Sequence, residues 1–378
     1  MNATRREFLQ LASALLAADA LAATNGTPAG QISTLCGSGT KGLCADGTDA
    51  LTANLNNPYG MAEQKDRASL FFVENQNHRI VRYERATKKI HMVCGTGKKG
   101  AEGNDGPALM CQMAEPHEIH FDSKGNMYVA ERDNYTIRRI DRKTGIINVY
   151  AGTITVRGFA GDNGPATKAV LNQPHGLAID PHDNVYICDV LNNRVRRVDA
   201  KTGVITTFAG NGEKGKAPDE GKLLEVPIFG PRSLEISRQG KIYVALREGN
   251  GIFELDGKSG KAKRIAGNGE NGYTGDGGPA VKATFGSLGP DGLTGPKGLS
   301  VTEDGHSMYV ADCENHVIRK VDLKTGIVST LAGTGKKGNG PEGDPLKCAM
   351  NRPHAVYVSR GVVYIGDSEN HKIRIVPV

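Results

Sequence analysis

The sequence predicts an all-β fold, a six-bladed β-propeller whose ring is closed by the N-terminal strand completing the last blade. Three observations predict it. One unit recurs six times along the 378 residues, at intervals of 57 to 65. Each unit holds four short runs of strand-like alternation separated by turn residues. The fourth run missing from the last unit is found at the other end of the chain. A four-stranded meander of this kind cannot bury both faces without a neighbour on each side, so the copies must stack in a ring.

Taken in order, residues 1–22 stand outside the repeat. Thr4 to Leu9, with Arg5 and Arg6 ahead of a modest apolar run and the small residues Ala20 to Ala22, fit a twin-arginine export signal cut near Ala22. The apolar run is too short, and too interrupted by Asp19, to span a bilayer. The expected product is a periplasmic or secreted protein with no transmembrane segment. Residues 31–378 form the propeller, as one domain.

Within the unit spanning residues 172–210, His175 to Asp180 alternates as a half-buried strand and Pro181 to Asn184 is a turn. Val185 to Asp189 is the second strand, Asn192 and Asn193 the next turn, Val195 to Val198 the third strand, and Val204 to Ala209 the fourth. The prolines opening the first strands are Pro58, Pro116, Pro174, Pro231, Pro296 and Pro353. The second strands end at Glu74, Glu131, Asp189, Leu246, Asp312 and Asp367, and the acids among these are expected to satisfy amides of the following turn. His78, His316 and His371 fall in those turns and read as exposed turn residues. Gln31 to Gly37 matches Val328 to Gly333, which makes it the strand that closes the sixth blade and removes the open edges.

Composition agrees. Glycine, 50 of 378 residues, serves many turns, and the net charge of +6 from 47 basic and 41 acidic residues permits an anionic partner without demanding one. The absence of Trp and of basic residues interleaved with aromatics argues against a nucleic-acid platform. The G-x-G-x-x-G pattern at Gly37 and its copies is not a dinucleotide site, because no helix opens after it. The same inter-blade loops carry Asp105, Asp162 and Asp276. These either cap the loop or ligate Ca²⁺ with backbone carbonyls, and the low density of carboxylates favours capping.

The cysteines number seven, at Cys36, Cys44, Cys94, Cys111, Cys188, Cys313 and Cys348, so a monomer leaves at least one unpaired. Cys94 and Cys111 bracket one inter-blade loop and are the favoured pair. Cys44 with Cys348, across the closure, is another, although sequence cannot fix connectivity. Cys188 reads as a small core residue.

The residues that follow the blade-opening prolines are the candidate site. Around the ring they are Tyr59, His117, His175, Arg232, Lys297 and His354. A purely structural role calls for small or apolar side chains, yet all six are polar or ionisable, and crowding about one axis shifts pKa values. Arg232 and Lys297 are placed to anchor an anion, Tyr59 to act as a general base if its pKa is lowered, and Glu118 either backs His117 or points away along its strand.

The order Pro-x-Gly, Tyr-Val/Ile-Ala-Asp, Asn-x-Arg-Ile/Val resembles the NHL-repeat family over everything from about residue 31 onward. At Pro116 with His117, Pro174 with His175, and Pro353 with His354, the chain resembles the NHL-type peptidyl-hydroxyglycine α-amidating lyases. That resemblance implies zinc on His117, His175 and His354, with Tyr59 and Arg232 completing the site. The histidines lie in blades two, three and six rather than in alternate blades, and the substrate does not transfer.

Two function classes stay open at this point. One is an exported, metal-assisted lyase or hydrolase acting on a small anionic or peptidic molecule. The other is a non-catalytic propeller that binds a protein or another cell-envelope ligand, since fold does not decide function.

Overall fold

The computed structural model describes residues 27–287 and 295–378 and consists of six antiparallel sheets. The export signal read at residues 1–22 lies outside the described residues. Blade 3 shows the pattern, with strands Pro174–Ile179, Val185–Asp189, Arg194–Val198 and Val204–Ala209. The first strand of each blade packs against the first strands of both neighbours, and that of blade 6 meets that of blade 1, so the ring closes. The first strand of blade 5 starts later than its proline, at Gly298–Val301.

Closure occurs where the repeat requires it. Ser33–Cys36 pairs antiparallel with Lys372–Pro377, setting Ser33 opposite Ile375 and Cys36 opposite Ile373. Four blades also carry an unpredicted fifth strand of two or three residues on the outer edge, such as Gly106–Pro107 against Ile146 and Ile147. These short additions cover part of the hydrogen-bonding edge left by the fourth strand.

The core is six apolar layers among the described residues, one between each adjacent pair of blades. Val73 and Ile80 of blade 1 share a layer with Met113 and Ile119 of blade 2, and Leu35 and Cys36 join Phe72 and Tyr364 across the closure. A lone blade therefore has no core of its own. Among the described residues no helix is long and apolar enough to cross a membrane.

The acids ending the second strands are more deeply engaged than the sequence implied. Each is buried and takes the amide of the loop entering its own blade: Asp189 accepts from Asn172 N at 2.7 Å, and Asp367 from Asn351 N at 2.8 Å. Each also holds the turn asparagine and a buried third-strand arginine, as Asp367 does with Asn370 (2.9 Å) and Arg374 (2.7 Å). The amides they satisfy thus belong to the preceding loop, because the arginine and asparagine draw the carboxylate inward.

The turn histidines are inter-blade contacts. His316 Nδ1 accepts from Arg352 N at 3.1 Å, His78 Nδ1 from Glu115 N at 3.3 Å and His371 Nδ1 from Asn57 N at 3.4 Å. Partial burial lowers the pKa of all three, as an acceptor nitrogen requires.

The favoured cysteine pair is adjacent but unbonded, with Cys94 Sγ 3.6 Å from Cys111 Sγ. Cys44 and Cys348 do not meet. Cys44 lies beside Arg79 in the layer between blades 6 and 1, and Cys348 is buried in the layer between blades 5 and 6. The loop aspartates are structural: Asp162 and Asp276 each take an arginine at 2.7 Å, from Arg196 and Arg319, and Asp105 accepts from Asn104.

Candidate functional site

The residue before each blade-opening proline is left-handed in all six blades. Asn57, Glu115, Gln173 and Arg352 have φ between 47° and 55°, and Gly230 and Gly295 fill the same place at 64° and 76°. A non-glycine residue rarely adopts this conformation, and where it does the strain accompanies function. Here the turn directs three carbonyls at site imidazoles. His117 Nδ1 donates to Glu115 O (2.8 Å), His175 Nδ1 to Gln173 O (2.9 Å) and His354 Nδ1 to Arg352 O (2.9 Å).

A carbonyl only accepts, so each Nδ1 carries the proton. Burial and the nearby cations Arg232 and Arg132 hold His117 well below the ordinary imidazole pKa. Burial, His117 and Arg232 do the same to His175, and burial, Lys297 and Arg352 to His354. The rings are neutral at pH 7, and each Nε2 presents a lone pair.

All six ring positions are buried, between 2% and 9% exposed. His117 and His175 meet edge to face with centroids 4.4 Å apart, and Tyr59 stacks on His354 at 4.4 Å and edges His117 at 5.2 Å. The tyrosine thus separates His354 from the other two imidazoles. Among the described residues no group of three or more His, Cys, Asp or Glu side chains is placed to hold a metal ion. The three histidines share one mouth, His117 against His175 and His354 on the other side of Tyr59.

Two of the expected roles change, that of Lys297 as an anchor and that of Tyr59 as a base. Lys297 is committed to a buried ion pair with Glu314, which Arg352 also holds at 2.8 Å, so it is not a free anion anchor. Against the opposing effect of burial, Arg352 and Lys297 keep the Glu314 carboxyl below its usual range. Burial raises the Tyr59 phenol above its ordinary pKa despite Arg232, which makes it a donor and not a base. Arg232 stands apart: it is 4% exposed, and no hydrogen bond or ion pair reaches it among the described residues. Burial lowers its pKa, with Arg247 adding like-charge repulsion.

Glu118 turns into the channel. It lies against Gly60, where a Cβ would collide with its carboxylate. Below the ring, Glu118, His120, Ser233, Glu235 and Tyr357 line a cavity of about 20 Å³, the size of one water molecule. Glu118 and Glu235 touch this narrow space but are otherwise enclosed by protein. Burial raises each carboxyl to about 8.

Sequence reasoning missed Glu314, Arg132 and Arg247. They sit one or two residues past the second strands, so the same repeat alignment contains their signal. Arg132 pairs with Glu115 and Asp133, and Arg247 with Glu248, which rings the mouth with charge pairs.

The NHL repeat family profile matches residues 171–198 and 350–376, which are units of blades 3 and 6. The chain is 26% identical over 298 residues to Protein SUPPRESSOR OF QUENCHING 1, chloroplastic, of Arabidopsis thaliana, covering 76% of this chain and 27% of that protein. It is 28% identical over 243 residues to NHL repeat-containing protein 2 of Bos taurus, covering 57% and 32%. The chain thus spans about a third or less of the length of these relatives. A Bacteroides thetaiotaomicron protein of unknown function superimposes with a TM-score of 0.67 at 18% identity, covering 91% of this chain and 75% of that one, a likeness of fold. The class is a six-bladed propeller, and units in two of its six blades match the NHL repeat.

Proposed function

We propose that the channel mouth binds a small anionic molecule or a peptide carboxylate, with Arg232 as the anchor. The observation that carries this reading is the buried Arg232 guanidinium, which no hydrogen bond or ion pair reaches among the described residues. An uncompensated buried cation is unfavourable by several kcal/mol, and an anion that reaches it relieves that penalty. The surrounding groups add selectivity. The Nε2 atoms of His117, His175 and His354 accept hydrogen bonds and Tyr59 donates one, so the favoured ligand carries an N–H or O–H beside its anionic group.

The test is calorimetry and thermal shift with sulfate, acetate, glycolate and glycine on wild type and on Arg232→Gln. Glycolate is expected to bind more tightly than acetate, and Arg232→Gln to bind none of them. Equal affinity of wild type and variant for all four probes refutes the reading.

A metal-assisted lyase or hydrolase is the second reading, favoured by one observation: the Nδ1 bonds to main-chain carbonyls leave three Nε2 atoms open, as in imidazoles that ligate metals. Zinc titration followed by metal analysis decides it. Uptake of one zinc ion that disappears in His175→Ala supports the metal, and no uptake removes it. We read Arg5 and Arg6 as an export signal, and in the periplasm either a small molecule or an envelope protein would be available as ligand. Retention of the precursor when both are changed to lysine tests that.

A further inference from the structure

The buried arginines of the third strands are not all alike. Arg196 and Arg319 each have a second carboxylate from the inter-blade loop, Asp162 and Asp276, both at 2.7 Å. In blade 2 the corresponding loop position is Asn104. Its successor Asp105 bonds the fourth strand as Asn163 and Gly277 do after Asp162 and Asp276 (Asp105 N to Ile147 O, 2.8 Å). Arg138 keeps its partner Glu131 at 2.8 Å but lacks the aspartate. Its Nη2 instead lies 3.0 Å from Cys111 Sγ and 3.1 Å from Gln112 O, and Nη1 has no acceptor.

Cys111 Sγ is also 3.6 Å from Cys94 Sγ, and both residues are fully buried. Packing does not demand sulfur here. Blades 3 and 4 use Ala209 with Val226 and Ala266 with Ala283 at the corresponding strand end and loop residue. One blade junction therefore combines two adjacent thiols with a guanidinium that lacks the second carboxylate held by Arg196 and Arg319.

We propose that Cys94 and Cys111 form a redox dithiol, oxidised by exchange with a low-molecular-weight disulfide such as oxidised glutathione, with Cys111 as the attacking thiolate beside Arg138. Cys111 sulfur attacks one sulfur of the oxidant and expels a thiolate, leaving a mixed disulfide. Cys94 then loses its proton and attacks the Cys111 sulfur, and the second thiolate leaves. Two electrons pass to the oxidant and two protons end on the released thiols. The hydrogen bond from Cys94 lowers the Cys111 thiol against the effect of burial, and Arg138 adds to the lowering. Because both sulfurs are covered, exchange proceeds through lifting of the loop from Gly95 to Met110, and oxidation then staples that loop to blade 1. The pair adjoins the candidate site: Glu131, held by Arg138, accepts from Ala114 N at 3.1 Å, one residue before the carbonyl that orients His117.

The experiment equilibrates the purified chain in glutathione buffers from reduced to oxidised, alkylates it under denaturing conditions and maps its peptides by mass spectrometry. The expected result is one two-electron transition that removes two of the seven thiols and joins the Cys94 and Cys111 peptides. Asn104→Asp gives Arg138 the carboxylate that Arg196 and Arg319 possess. It is expected to slow oxidation about tenfold, the effect of one pKa unit on the thiolate fraction. Cys94→Ala is expected to accumulate a glutathione adduct on Cys111, a readout that stands if Asn104→Asp misfolds. Survival of all seven thiols in oxidised glutathione, a crosslink between other cysteines, or wild-type kinetics in a folded Asn104→Asp overturns the proposal.

Discussion

Gln173 is held at φ 55° so that its carbonyl accepts the His175 Nδ1 proton at 2.9 Å. The backbone, and not another side chain, selects the tautomer. Gly230 and Gly295 make the same turn in blades 4 and 5, where no imidazole needs a carbonyl. Gln173→Gly is therefore expected to stay within about 1 kcal/mol of wild type, since relief of left-handed strain offsets the added chain entropy. Gln173→Val, a β-branched residue in that conformation, should lose about 1 to 3 kcal/mol. Urea denaturation of the two variants checks both numbers.

Arg232 sets binding against stability. Replacing it with Met removes a buried cation that no ion pair reaches among the described residues, so the ligand-free protein should gain about 1 to 3 kcal/mol. The same change should abolish stabilisation by added sulfate. A melting temperature that falls in Arg232→Met shows that an internal partner was lost instead.

Glu314 has the opposite character. It lies between Lys297 and Arg352, and among the described residues Glu314→Gln takes from Lys297 its carboxylate partner and from Arg352 one of its two, the other being Glu369. A loss of about 3 to 5 kcal/mol is expected, which exceeds what an exposed ion pair contributes. Denaturation in low and high salt checks it, because a buried pair responds weakly to screening.

The channel carboxyls give stability a pH dependence above neutrality. Folded Glu118 and Glu235 titrate at about 8, above the unfolded value of 4.5. The folded protein thus keeps protons that the unfolded chain has released, and the contribution of these groups is full below pH 4.5 and lost as pH rises through 8. Between pH 6.5 and 8, Glu118→Gln should therefore reduce the loss seen in wild type by up to about 1.4 kcal/mol per pH unit. Stability curves at several pH values check the slope, and parallel curves for variant and wild type refute it.

Much of the architecture was legible because strand alternation and turn chemistry are local. The six proline-led units, the acid-ended second strands and the match of Gln31–Gly37 to Val328–Gly333 located every blade and the closure. The ring of Tyr59, His117, His175, Arg232, Lys297 and His354 was legible too, since equivalent positions in a closed repeat must face one axis. Ownership of charge was not. Whether Lys297 stays free depends on Glu314, which comes from the turn after the second strand and meets it only once side chains pack. The rise in the Tyr59 pKa was hidden for the same reason: burial outweighs a nearby cation only when the surroundings are known. The left-handed pre-proline residues run against the usual extended preference before proline, so no propensity announced them.

The pairing of Ser33 with Ile375 also carries a consequence for synthesis. The strand ahead of blade 1 has its partner in blade 6, so no shorter stretch of the ring closes on itself. Until blade 6 is complete, Leu35 has neither Ile373 nor Ile375 to pack on, and the unfinished arc exposes one raw apolar face at each end. Closure thereby waits until blade 6 has been made, and a ring that lacks its last blade is an open horseshoe that invites a second copy to fill the gap. What separates a finished ring from an unfinished one is whether Ser33 has met Ile375.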